Sequence, residues 1–247
     1  MIRSAGAPHG LNLAAAIPCE RYDHAASANT RARAFAPRAR SIIVIGNGGG
    51  AFWRAFTDHT KRYPEWLKRP HPLDDFTQRT VELEIVKPLR LRGADCVTVY
   101  PFMHGAASLN FMLLARLAGL AGPSIIGVTL HPIFGPWIAF RAALLLDEEL
   151  DEPGIAAGFD PCPQCTARTC ISACPANAVS FPAGWNIPRC MTHRVETESD
   201  CVARCHARVA CVLGPEHRYP DDELAYHQER ALRSMREYYF KQVKAKA

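Results

Sequence analysis

The sequence predicts an α+β fold that carries a small cysteine-rich module and closes with a C-terminal helix. Three observations predict it. Strand-type and helix-type apolar segments follow one another over residues 1–150, the mark of a mixed layer architecture. Eight of the ten cysteines fall between Cys162 and Cys211, in a stretch with little periodic hydrophobicity. The run DDELAYHQERALRSMREYYFKQV over 221–243 has helical spacing, with Asp221 and Asp222 in its first turn and Lys241 and Lys244 at its end. With 247 residues, 48% of them apolar and 21% charged, the chain is one large domain or one domain plus a small module, not a disordered polymer. The expected division is 1–150, 156–215 and 216–247, with the acidic turn DEELDEP at 147–153 as the boundary.

Residues 1–40 are rich in Ala and Arg and read as a strand or helix followed by an irregular basic approach. Ser41–Ile45 (SIIVI) is a buried strand, residues 46–50 (GNGGG) a turn, and 51–60 a helix. The stretch 61–75 is broken by prolines and predicts a loop, 76–92 a helix, and 95–100 a strand. The run 109–118 is apolar nearly all round and predicts a buried helix. Ser124–Leu130 (SIIGVTL) predicts another buried strand, and Ile138–Leu146 a strand or a short helix.

A formal net charge of +5 is mild, and no nucleic-acid reading module is visible, so nucleic acid is not an expected partner. No apolar run approaches the roughly 18 residues of a membrane span. The segment GLNLAAAIP before Cys19 faintly resembles a lipoprotein signal, but its apolar run is short and Pro18 stands where a small residue is wanted. A soluble protein of the reducing cytoplasm is the default reading.

Clustered cysteines in a chain this long point to metal ligation. The first run is Cys162-x2-Cys165-x4-Cys170-x3-Cys174-Pro175, two residues longer before its third cysteine than the bacterial ferredoxin run. Cys190, Cys201, Cys205 and Cys211 follow, making eight candidate ligands for one or two [4Fe–4S] clusters. Arg168, Arg189, His193, Arg194, Arg204, His206 and Arg208 surround them, and positive charge favours thiolates. Zinc held by thiolates, with His193 or His206 as a fourth ligand, is one alternative, and disulfides are another. Ligand pairing cannot be read from the order of the cysteines. Cys19 and Cys96 read as buried, inert thiols.

Two further segments are candidates for ligand contacts. Gly46, Gly48 and Gly49, with Ala51, fit G-x-G-x-x-A between a strand and a helix. That pattern allows a dinucleotide site, a backbone approach to another ligand such as a large planar cofactor, or a tight turn with no ligand. His131-Pro-Ile-Phe134-Gly135-Pro-Trp137 is a rigid loop able to position a ligand, although a lone histidine is more often structural. Arg141 lies in an apolar run, so it needs an anionic partner, either a ligand or a structural Asp or Glu.

The stretch Gly119–Gly127, then HPIFGPW, the acidic turn and the cysteine module together resemble epoxyqueuosine reductase and its relatives, a group that includes reductive dehalogenases. Leu130–Leu146 (LHPIFGPWIAFRAALLL) is similar to the HPRFGGWFAIRG segment of the cobalamin-processing decyanases and dealkylases. His217-Arg-Tyr-Pro with Ala225-Tyr226-His227, SIIVIGNGG and GLNLAAAIPCERYD add to the likeness. The resemblance implies a nitroreductase-related, corrinoid-binding α+β domain and reductive chemistry. Gly46, Gly48, Gly49, His131, Phe134, Gly135, Trp137, Arg141 and His104 would then line the corrin. Arg141 matches an arginine that contacts glutathione in the decyanases. The GWIGKN turn of the reductases is not kept, and no Asp or Glu matches their proton donor.

The expected function is therefore that of an iron–sulfur redox protein delivering electrons from [4Fe–4S] clusters to a bound corrinoid (cobalamin) or a substrate. Its reductant would be a ferredoxin, a flavodoxin or a reductase. The alternatives are an electron-transfer or cobalamin-chaperone protein without its own substrate, and a zinc-stabilised interaction module.

Overall fold

The computed structural model describes residues 2–103, 108–197 and 200–244. The chain forms two compact units, one running to Gly122 and resuming over Ile138–Phe159, the other made of Pro123–Trp137 and everything from Asp160 onward.

The first unit is built on an antiparallel sheet of four strands: β1 (Leu13–Pro18), β2 (Ser41–Gly48), β3 (Cys96–Val99) and β4 (Ile138–Leu146), in the order β1-β2-β4-β3. Every residue of β2 is buried, which is why its apolar stretch 42–45 runs without polar alternation. β2 pairs with β4 from Ser41 opposite Leu146 to Gly48 opposite Ile138. The register jumps between Ile45, opposite Ala142, and Gly46, opposite Phe140. Arg141 is thus the extra residue of a β-bulge. A Cβ on Gly46 would lie 2.6 Å from the Ala139 carbonyl oxygen, so only glycine fits there.

The predicted loop 61–75 is shorter than expected. Pro64–Lys68 forms a 3₁₀ turn, and a helix begins at Pro72, whose missing N–H costs nothing in the first turn. That helix, Pro72–Val81, continues through a π-helical turn at Glu82–Val86 into Lys87–Leu91. The widened turn accommodates Pro88, which has no amide to donate and would crowd the carbonyl four residues back. Phe111–Leu117 is helical, but it buries only Phe111, Leu114 and Ala115, and leaves Met112 exposed. Cys19 and Cys96 are buried, and burial raises both thiols, that of Cys19 to about 12.

The second unit has little regular structure apart from its helices. Ser124–Leu130 is not the predicted strand but a set of turns. Gly127 adopts a left-handed φ of +78°, and its α-carbon lies so close to the Trp185 ring that a Cβ would sit 2.1 Å from it. A two-stranded ribbon (β5, Val179–Ser180, with β6, Gly184–Trp185) follows the first cysteine run. Helices span Ile187–Glu196 and Asp221–Lys244. The first is capped by Asn186, whose side-chain oxygen accepts from the Arg189 amide at 2.9 Å. Arg194 ties the two helices together, donating to the Gln228 carbonyl at 2.9 Å and the Met235 sulfur at 3.2 Å. Among the described residues no helix is long and apolar enough to cross a membrane.

Candidate metal centre

The first cysteine run folds as a wrapped loop. The Cys165 amide donates to the Cys162 carbonyl at 3.3 Å. The two residues that lengthen the run before Cys170 are absorbed at Arg168, which takes a left-handed φ of +41°. Its Nε donates to the Cys165 carbonyl at 3.1 Å, and its guanidinium lies 3.9 Å from the centre of the Phe181 ring. Cys170 then sits in the short helix Thr169–Ser172, anchored by a bond from Thr169 Oγ1 to the Ala210 carbonyl.

Tertiary structure sorts the cysteines in a way their order does not. Cys162, Cys165 and Cys170 line a cavity of about 340 Å³ together with Cys211, and Ile125, Leu130 and Leu213 complete its apolar wall. The same four thiols lie within electrostatic reach of one another. Cys174 leaves that group: Cys205 feels Cys190 and Cys174 instead. Cys201 is also buried, on the 3₁₀ turn Asp200–Val202. Ile125, Ile126, Val179 and Ala207 form an apolar cluster that touches Cys162 and Cys170 of one group and Cys174 and Cys205 of the other.

Burial pushes the thiols of Cys162, Cys170, Cys205 and Cys211 above the ordinary range. Backbone amides counter this in part: Ile125 supports Cys162, Arg208 supports Cys205, and Leu213 supports Cys211. The Ala178 amide donates to Cys174 Sγ at 3.4 Å. Amides aimed at sulfur stabilise the thiolates that metal ligation requires. All ten cysteines are free thiols. Among the described residues no three His, Cys, Asp or Glu side chains converge as they would on a single metal ion.

The HPIFGPW loop lies wholly in the second unit, with the cysteines. His131 and Gly135 exchange backbone hydrogen bonds of 2.9 and 2.8 Å. His131 Nδ1 accepts from the amides of Ile133 (3.1 Å) and Phe134 (3.3 Å), so a neutral ring carries its proton on Nε2. Burial, with His217 nearby, lowers this histidine to about 4. Phe134 packs on His217 at 4.6 Å between ring centres, and Gly135 is pressed against the Leu213 backbone. Trp137 is fully buried against Tyr219.

Gly46, Gly48, Gly49 and Arg141 lie in the first unit. The dinucleotide reading of the glycines fails there. Gly46 and Gly48 are paired within β2, and both neighbours of β2 are antiparallel, whereas that fingerprint belongs to a turn leaving a parallel βαβ strand. Only Gly49, at φ +67°, makes the turn. The Asn12 side chain clamps Gly48, donating to its carbonyl at 3.0 Å and accepting from its amide at 2.7 Å. Arg141, re-aimed by its bulge, donates from Nε to Asn47 Oδ1 at 2.6 Å, and its guanidinium lies 4.6 Å from the centre of the Phe52 ring. His104 lies outside the described residues. Asn12 and Asn47 carried no signal in the sequence, because single amides are common and their partners are distant in the chain.

No protein-family model and no curated protein sequence matches the chain. Its fold is that of a group of reductases and a cobalamin-trafficking protein, as the resemblance read from the sequence implied. It superposes on epoxyqueuosine reductase from Streptococcus thermophilus with a TM-score of 0.58 and 12% identity, over 89% of this chain and 66% of that one. The corresponding values for the C. elegans B12-trafficking protein CblC are 0.55 and 15%, over 91% and 88%. For a catabolic reductive dehalogenase in complex with 3-bromo-4-hydroxybenzoic acid they are 0.54 and 16%, over 96% and 34%. The chain thus spans just under two thirds of the reductase and about a third of the dehalogenase. Another similar structure is epoxyqueuosine reductase with an epoxyqueuosine-modified tRNA stem loop, at a TM-score of 0.55 and 14% identity over 91% of this chain and 67% of that one.

Proposed function

We propose that the chain is an iron–sulfur redox protein of the reducing cytoplasm. Cys162, Cys165, Cys170 and Cys211 would hold one [4Fe–4S] cluster, and Cys174, Cys190, Cys201 and Cys205 a second. The observation that carries this reading is the crossing of the ligands. Cys211 joins the first three cysteines of the run around one cavity, while the fourth, Cys174, turns to the other group. That exchange is the habit of two-cluster ferredoxins.

When bound, each cluster supplies one electron at a time. The chain's own residues hold the thiolates with backbone amides, keep water from the sulfurs with Ile125, Leu130 and Leu213, and separate the two groups by the Val179 and Ala207 layer. Electrons would come from a ferredoxin, a flavodoxin or a reductase and pass to a corrinoid or substrate on the first unit, where Gly46, Gly48, Gly49 and Arg141 are candidate contacts. A second reading, a cobalamin chaperone with no substrate of its own, is supported by the fold the chain shares with the B12-trafficking protein CblC.

The test is an absorption spectrum and iron analysis of anaerobically purified protein, before and after hydroxocobalamin. Near eight irons per chain, a visible band bleached by dithionite, and loss of about half the iron in Cys211→Ser are expected. A perturbed corrin spectrum at stoichiometric cobalamin would support the corrinoid. An unperturbed one would leave an electron carrier. A colourless protein containing zinc would overturn the reading.

A further inference from the structure

We infer that Arg208 is a positioning residue that locks the His131–Trp137 loop onto the second cysteine group and places a positive charge beside Cys205. The inference rests on the two-cluster reading and deepens it.

Arg208 sits in the short helix His206–Val209, three residues after Cys205. Its Nε and Nη2 both donate to one acceptor, the Pro136 carbonyl, at 3.1 and 2.6 Å. The guanidinium also lies 4.9 Å from the Trp137 ring centre and 5.0 Å from that of Tyr219. One planar cation therefore grips the last two residues of the loop by a forked hydrogen bond and by stacking, a combination lysine cannot reproduce. Both bonds end on a neutral carbonyl rather than a carboxylate, so the charge stays available to its surroundings. Cys205 is the N-cap of that same short helix, so Cys205 and Arg208 stand one turn apart on one face. A positive charge in a half-buried site stabilises an added electron nearby, because screening by water is incomplete. Loop position and the electrostatics of the second cluster thus pass through the same side chain.

Two variants separate the roles. In an EPR-monitored redox titration of the anaerobic protein, Arg208→Gln should make reduction of one cluster at least tenfold less favourable, a shift of about 59 mV to more negative potential. The other cluster should be unchanged. Arg208→Lys keeps the charge and loses the fork. It should hold both potentials and alter the near-ultraviolet circular dichroism assigned to Trp137 by a Trp137→Phe control. Iron-replete Arg208→Gln with both potentials unchanged would overturn the electrostatic role. An unaltered near-ultraviolet spectrum in Arg208→Lys would overturn the positioning role, and Arg208→Lys remains informative if Arg208→Gln does not fold. Wild-type protein without iron would instead count against the iron–sulfur reading itself.

Discussion

Gly135→Ala tests whether the HPIFGPW loop supports the first cysteine group. Gly135 adopts a left-handed φ of +54°, and a Cβ there would lie 2.1 Å from the Leu213 carbonyl oxygen and 2.6 Å from its carbon. Two costs add. An alanine in the left-handed region loses about 1–2 kcal/mol. The overlap is with backbone rather than a flexible side-chain tip, so the 213 segment must move, at about 1–3 kcal/mol for overpacking. The sum is about 2–5 kcal/mol, or a fall in melting temperature of roughly 4–20 °C at 2–4 °C per kcal/mol. Because the Leu213 amide supports Cys211, the same displacement should open the first group. Gly184→Ala is the control: its φ is +78° and nothing lies within 4 Å of the added carbon, so it pays the conformational cost alone. Calorimetry and iron analysis of both variants give the comparison. If Gly135→Ala melts together with Gly184→Ala and keeps all its iron, the close approach has been misread.

Three further outcomes follow from the side-chain environments. His131, lowered to about 4 by burial and His217, stays neutral when folded. Its contribution of roughly 3 kcal/mol is complete above pH 6.5 and is lost as pH falls from 6.5 towards 4; a histidine NMR titration with its midpoint near 6.5 would contradict this. Asn47→Ala removes the 2.6 Å acceptor of the buried Arg141 Nε and should cost about 2–4 kcal/mol in urea denaturation, with Asn47→Asp recovering much of it. Cys19, fully buried and raised to about 12, should resist iodoacetamide at pH 8 until the chain unfolds, and labelling at the rate of the denatured protein would refute its burial.

Much of the fold was legible in local pattern. Residues 42–45 of β2 and 142–146 of β4 stand out as continuous apolar runs because both faces are covered there. The 221–244 helix is legible because its apolar spacing and terminal charges agree. The SIIGVTL run carries the same apolar signal as β2 and yet forms turns, since Pro123 and the left-handed Gly127 bend it under Trp185. The glycine-rich stretch misled for a related reason: G-x-G-x-x-A describes spacing along the chain, while a dinucleotide site depends on parallel neighbours, which β2 lacks.

By itself the sequence determined the chemical inventory: eight clustered cysteines, a rigid proline-glycine loop, a buried-strand pattern and a charged helix. Residue type and near-neighbour spacing govern those properties, and they act over a few residues. Only the tertiary structure shows that Cys211 lines one cavity with Cys162, that Cys174 lies near Cys205, that a bulge turns Arg141 onto Asn47, and that Arg208 reaches Pro136, seventy-two residues away in sequence. Those pairings depend on which segments fold back against one another, and that follows from burying the whole apolar surface at once rather than from any single stretch of chain.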